Sequence, residues 1–159
     1  MRGYYDILDK LLTTLEAEES INTVTEGELG DVDLNKQTIF PLAHIIVNNV
    51  TFQDHSQTFS FNILFMDLID QSKTDSRDLI SPRNVPFRGN DNEQDVMNTM
   101  LATANKLYSL VSRGPLFDEK FQIEGNPTCE PFVDRFENSL AGWDMAISIT
   151  IPNVDVSIC

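Results

Sequence analysis

The sequence is poor in the residues that carry covalent and metal chemistry. Its 159 residues include two cysteines, two histidines and one tryptophan. Cys129 and Cys159 lack the close spacing of zinc or redox motifs, and we interpret them as reduced thiols. The P-loop, GxGxxG, GxSxG and HExxH patterns are all absent. We therefore expect no catalytic residue, no cofactor site and no metal site, and the pattern indicates a protein that is not an enzyme.

Basic residues are also scarce. Eleven Lys and Arg residues stand against twenty-five Asp and Glu residues, which gives a net charge of −14. Such a charge repels phosphate groups and argues against tight nonspecific binding of nucleic acid. It favours a partner with basic patches, or a surface that lies near DNA without adhering to it.

Long apolar runs are missing as well. No run approaches the ~20 residues that a transmembrane helix needs, and acidic residues interrupt the N-terminal apolar stretch, so we expect neither a membrane span nor a signal peptide. The sequence has instead 41% hydrophobic residues and ten Phe, which is typical of a folded protein. Its length predicts a single domain over residues 1–159.

Two segments have the apolar spacing of amphipathic helices. Residues 4–16 place Tyr4 and four leucines at helical spacing. Residues 92–113 carry a longer apolar stripe, with acids in the first turn and Gly114 after the last. We interpret Met97 and Met100 in this stripe as core residues, with an adaptable partner-binding face as the alternative.

Several segments alternate between apolar and polar residues, as half-buried strands do. The strongest are residues 42–52 and 59–65, which form a predicted hairpin around the polar stretch QDHSQ, and residues 143–151. Shorter strands are predicted at 21–25, in FQIEG and in EPFVDRF. Together with the helices they predict an α+β fold: a largely antiparallel sheet with a long hairpin, packed against an N-terminal helix and a long central helix.

The alternation also predicts which aromatic residues anchor the core. Phe59, Phe61 and Phe65 share one face of their strand. Trp143 starts the apolar face of the last strand, after a turn that we assign to Glu137, Asn138 and Gly142. We predict that Trp143 packs the last strand against the long helix, and the alternative is an exposed stacking platform.

Residues 70–90 differ from the rest of the chain. Four of the eleven basic residues lie there, namely Lys73, Arg77, Arg83 and Arg88, and they give the segment a net charge of +1. Because the whole chain carries −14, the remainder carries −15. A loop of this length is often functional, and a solvated excursion is the alternative.

The order of these elements resembles the tail-terminator, tail-completion and neck-ring proteins of tailed bacteriophages, nearest to those of crAss-like phages of Bacteroides-type hosts. The resemblance lies in PLAHIIVNNVTF, where the first long strand begins, and in NSLAGWDMAISITIP, where a Gly-Trp pair opens the last strand. It covers most of the chain.

This resemblance implies a virion structural subunit in the neck or tail, assembled in the host cytoplasm. Subunits of this kind form a closed ring, a hexamer or dodecamer, between neighbouring connector, portal or tail rings. Genomic DNA passes through the lumen without sequence-specific binding. The hairpin 42–69 would then join its sheet to that of a neighbouring subunit.

The charge distribution suggests where ring subunits meet. A closed ring uses two different patches on each subunit. We hypothesise that the basic loop contacts the acidic body of a neighbour, with His55 and Gln57 at the hairpin turn adding to the interface. Two alternatives remain open: a tail-tube or baseplate subunit, and a small enzyme or ligand-binding domain that uses the Asp and His residues of the hairpin.

Overall fold

The computed structural model describes residues 3–34, 36–69, 93–114, 121–135 and 139–153. Within these ranges helix α1 spans Gly3–Glu16 and helix α2 spans Glu93–Arg113. The strands are β1 (Thr23–Glu26), β2 (Leu42–Phe52), β3 (Ser56–Leu68), β4 (Gln122–Ile123), β5 (Thr128–Arg135) and β6 (Leu140–Pro152). Both predicted helices are confirmed, because their apolar stripes are the residues that the sheet buries.

The described strands form one sheet, which is antiparallel apart from its first pair. β2 pairs with β3, and β3 pairs with β6 over the whole of both strands. β1 pairs in parallel with the first four residues of β2. On the other edge of β6, β5 pairs with the first half of β6 and β4 pairs with residues 149–150 of β6. The predicted α+β class with a long hairpin is confirmed.

One face of the sheet carries the main core. Directly opposite residues of paired strands share a face, so Phe61 lies between Val47 of β2 and Ile147 of β6. Phe59, Phe61 and Phe65 are at most 2% exposed. Both helices cover this face, with Leu11 and Leu15 from α1 and Met100 and Leu107 from α2. Ser20 after α1 also hydrogen-bonds Thr103 of α2, at 2.7 Å between the hydroxyl oxygens.

The opposite face has a smaller apolar cluster at one end. The segment between β1 and β2 contains two 3-10 turns, Leu29–Asp31 and Gln37–Ile39, and its apolar residues pack over this end. The buried members of the cluster are Phe40, Leu42, Leu64, Met66, Phe132 and Leu140. Leu64, on the strand face opposite to Phe61 and Phe65, is therefore only 3% exposed.

The prediction that Gly142 belongs to a turn was wrong. β6 begins at Leu140, so Gly142 lies inside the strand, opposite Met66 of β3. A Cβ atom at position 142 would stand 1.8 Å from the carbonyl oxygen of Phe65. Glycine is therefore present because the two strands approach closely, whereas sequence reasoning took it as a turn signal. Glu137 and Asn138 lie outside the described residues.

Candidate functional site

The β2–β3 hairpin is fixed at its tip by the end of β6. The backbone N–H of Gln53 donates to the carbonyl oxygen of Ser56 at 2.9 Å, which closes the turn. The backbone N–H of Asn153 donates to the carbonyl oxygen of His55 at 2.8 Å. The side-chain amide of Asn153 donates to the carbonyl oxygens of Gln53 and Ser56. The conformation of the tip is therefore fixed by hydrogen bonds within the chain.

The outer edge of β2 is only partly covered. On this edge β1 pairs with Leu42 to Ile45. From Ile46 to Phe52, β2 pairs with β3 on its inner edge, and among the described residues no strand pairs with its outer edge. A bulge between Val47 and Asn49 interrupts the regular register with β3. An open strand edge presents backbone N–H and C=O groups on which another strand can pair.

The two predicted interface residues of the hairpin have different surroundings. His55 is exposed at the tip. Gln57 is 4% exposed and stands opposite Ile151, so it contacts its own chain. The most exposed apolar residue at the tip is Phe52, at 73%. The sequence analysis assigned Phe52 only to the end of a strand. Its position just before the polar QDHSQ stretch is the signal that could have predicted its exposure.

The predicted basic part of the interface lies outside the described residues. Lys73, Arg77, Arg83 and Arg88 all fall between residues 70 and 92. Their assignment to a subunit contact stays a prediction from the sequence.

Trp143 links the last strand to the long helix. Its indole Nε1–H donates to the carbonyl oxygen of Met97 in α2 at 2.8 Å. The ring stands opposite Phe65 of β3 and Pro131 of β5, and it packs against the main core while staying half-buried. Its polar atom and its apolar ring thus both contact the chain's own helix and sheet.

The sheet face without helices carries rows of short polar side chains. Asn48 donates to Asn62, whose own amide donates to Asp144 at 2.7 Å. Two further cross-strand pairs join Ser60 to Ser148 and Thr58 to Thr150, at 3.1 and 2.7 Å. The side chains in these rows hydrogen-bond one another and stabilise the register of β2, β3 and β6.

His44 is a buried histidine with both ring nitrogens hydrogen-bonded. Nε2 lies 3.1 Å from the carbonyl oxygen of Gly27 and Nδ1 lies 2.7 Å from the hydroxyl of Thr25. Because a carbonyl only accepts, the proton is on Nε2 and Thr25 donates to Nδ1. Burial lowers the pKa of His44, and the hydrogen bond to Gly27 opposes this effect. The neutral ring therefore fastens β1 and the turn after it to β2.

His44 and Cys129 do not form a nucleophile pair. His44 shares its sheet face with Leu64 and Cys129 shares the other face with Met145, and β3 and β6 stand between them. Burial and the nearby charge of Asp144 raise the pKa of the Cys129 thiol. Cys129 is a free cysteine in the described part of the chain, and its raised pKa favours the protonated thiol.

Acidification is expected to destabilise the fold through His44. The pKa in the folded state is below the ordinary value of 6.5, so the unfolded chain binds more protons. The free energy of unfolding should fall as the pH drops through 6.5 and level off below the folded-state pKa. Urea unfolding measured from about pH 8 down to about pH 5, a range that includes the ordinary value of 6.5, checks this expectation.

A His44→Gln variant is the control for this pH dependence. It has no ionisable group at position 44 and keeps Asp67, whose pKa burial raises and whose effect on stability therefore has the opposite sign. The variant should lose most of the slope near pH 6, whatever its absolute stability. An unchanged slope would contradict the assignment to His44.

A groove lies between α2 and the strands beyond β6. Its volume is about 370 Å³, and its lining is Leu101, Ala104, Asn105, Tyr108, Asn126, Pro127, Cys129 and Met145. None of these side chains is charged at neutral pH, which is unusual for a chain of net charge −14. No sequence pattern predicted this groove, because its lining comes from three separate segments.

Two further features of the described ranges bear on chemistry. No group of three or more His, Cys, Asp or Glu side chains there is placed to hold a metal ion. Neither helix in those ranges is both long and apolar enough to cross a membrane.

Comparison with known proteins adds no assignment. No protein-family model matches the sequence, and no curated protein matches it.

Proposed function

We propose that this protein is a virion structural subunit that forms a closed ring in the head-to-tail connector of a tailed bacteriophage or at the end of its tail. The resemblance of its two long strand motifs to ring proteins of this class suggests the assignment. The observation that carries it furthest is the hairpin, whose tip is fixed and whose β2 edge has no strand partner beyond Ile45 among the described residues.

Such a hairpin suits a subunit that completes its sheet with a neighbour. Pairing along Ile46 to Phe52 would give hydrogen-bond partners to the outward-facing backbone groups of this stretch, which no described strand pairs. The contact is heterologous, because the edge of β2 meets a different surface on the next copy. Repeating one heterologous contact around an axis gives a closed ring when the rotation closes.

The charge of the chain suits a ring around DNA. An acidic lumen repels the phosphate groups of the genome and lets the duplex slide rather than bind. Neighbouring rings above and below would be the protein partners.

Electron microscopy and mass measurement of the purified protein test this function. Closed rings of a fixed subunit number support it. A monomer that persists at every concentration, and also in the presence of portal and tail rings, counts against it. Stacked tubes would indicate a tail-tube subunit instead.

Reversing the charge of the basic loop is expected to impair ring formation. In the variant, Glu replaces Lys73, Arg77, Arg83 and Arg88, so the segment no longer complements the acidic body of a neighbour. The fraction of protein in rings, measured by native mass spectrometry at low and high salt, should fall strongly.

A second variant controls for added negative charge. It carries the same four reversals at Lys10, Lys36, Arg113 and Lys120, and circular dichroism checks the fold of both variants. Rings that form normally from the loop variant would overturn the role of the loop.

A further inference from the structure

The exposed large apolar residues of the described chain fall into two separate patches. The first, here the aromatic patch, contains Tyr4, Tyr5 and Phe52, which are 43%, 66% and 73% exposed. Tyr4 contacts Tyr5 and Phe59, and Phe52 follows two residues after Val50, the partner of Phe59. The three residues therefore lie on the same side of the sheet, at the start of α1 and near the tip of the hairpin.

The second patch surrounds the groove between α2 and β5. Leu101 and Tyr108 form part of the lining and are 40% and 37% exposed. Val133 is 41% exposed and lies on the same face of β5 as Cys129. β3 and β6 separate this side of the sheet from β2, so the two patches do not overlap.

We propose that the aromatic patch of one copy docks into the α2–β5 groove of the next copy, with Phe52 inserted in the groove. This proposal rests on the proposed ring function and specifies where the side chain at the end of the β2 edge binds when that edge meets the next copy.

The charge distribution allows a second copy to occupy the groove. Two chains of net charge −14 repel each other over most of their surfaces. Tyr4, Tyr5, Phe52 and the eight lining residues of the groove carry no charge at neutral pH. Contact through these neutral patches therefore avoids placing like charges directly opposite each other.

The exposed area accounts for part of such a contact. Aromatic residues bury roughly 200 Å² each, so at the exposures given above the three aromatic side chains present roughly 350 Å². Because this is less than half of the about 800 Å² that each partner contributes to a standard interface, the open edge of β2 must contribute further area. Asn105 and Asn126 in the lining can hydrogen-bond the tyrosine hydroxyls.

A photo-crosslinking residue at position 52 tests the contact. Benzoylphenylalanine replaces Phe52 in the full chain, and the crosslinked peptides are mapped by mass spectrometry after the wild-type rings are established. We expect crosslinks between copies to residues 101–108 or 126–129. The same residue at Thr51, which is exposed and adjacent on the other side of the strand, should not reach the groove.

A substitution provides an independent measurement. Phe52→Ser should raise the protein concentration needed for ring formation at least tenfold, whereas Thr51→Ser should leave it unchanged. Rings that form normally from Phe52→Ser, or crosslinks that map elsewhere, overturn this contact and leave the ring function standing. A wild-type protein that never forms rings overturns both.

Discussion

Replacing Gly142 with alanine is expected to prevent folding. The added Cβ would stand 1.8 Å from the carbonyl oxygen of Phe65 and 2.9 Å from the Cα of Met66. Both are backbone atoms, so no side-chain rotation relieves the overlap, and β3 must separate from β6. These strands share thirteen paired positions in the middle of the sheet. We expect a loss of more than about 4 kcal/mol, a large part of the stability of a typical domain.

A second glycine provides the matched control. A Cβ atom at Gly30 would meet no atom within 4 Å, and the residue lies in an exposed 3-10 turn. Gly30→Ala should change the free energy of unfolding by less than about 0.5 kcal/mol. Soluble expression and urea unfolding followed by far-ultraviolet circular dichroism compare the two variants. A Gly142→Ala protein as stable as Gly30→Ala would show that the strands can move apart at little cost.

Trp143→Ala is expected to cost roughly 3–5 kcal/mol of unfolding free energy. The change removes the ring that packs against the main core and the hydrogen bond to the carbonyl oxygen of Met97. It thereby weakens the attachment of α2 to β6, and ring assembly should fail together with folding.

Trp143→Phe separates the two contributions. It keeps an aromatic ring and removes the N–H donor, so it should cost only about 1 kcal/mol. Both variants lack the tryptophan, so unfolding is followed by circular dichroism rather than fluorescence. A stable Trp143→Ala variant that still assembles would show that the indole side chain contributes little to the core.

The alternation of apolar residues was sufficient to predict the long strands and their inner face. Phe59, Phe61 and Ile63 recur every second residue and lie on one face of the sheet, because successive side chains in a strand point in opposite directions. The stripe in residues 92–113 likewise predicted α2 to within one residue. Such local periodicity is a property of the chain itself.

The candidate contact surfaces could be predicted only in part. The hairpin was predicted, and so was a hypothetical role for its turn, but Gln57 is buried against Ile151 of β6. The groove combines residues of α2 with Pro127 and Met145, which are distant in sequence. No local pattern marks such a combination, since it depends on how α2 lies over the sheet.

The sequence by itself determined the fold class, the two helices, the strand faces and the acidic character of the protein, because these depend on composition and short-range periodicity. Only the tertiary structure decided that Gly142 lies at a close approach of two strands and that Leu64 is buried on the second face. It also decided that Phe52 is exposed on β2, which β3 and β6 separate from the groove. Each of these depends on contacts between residues far apart along the chain, which neither propensity nor periodicity encodes.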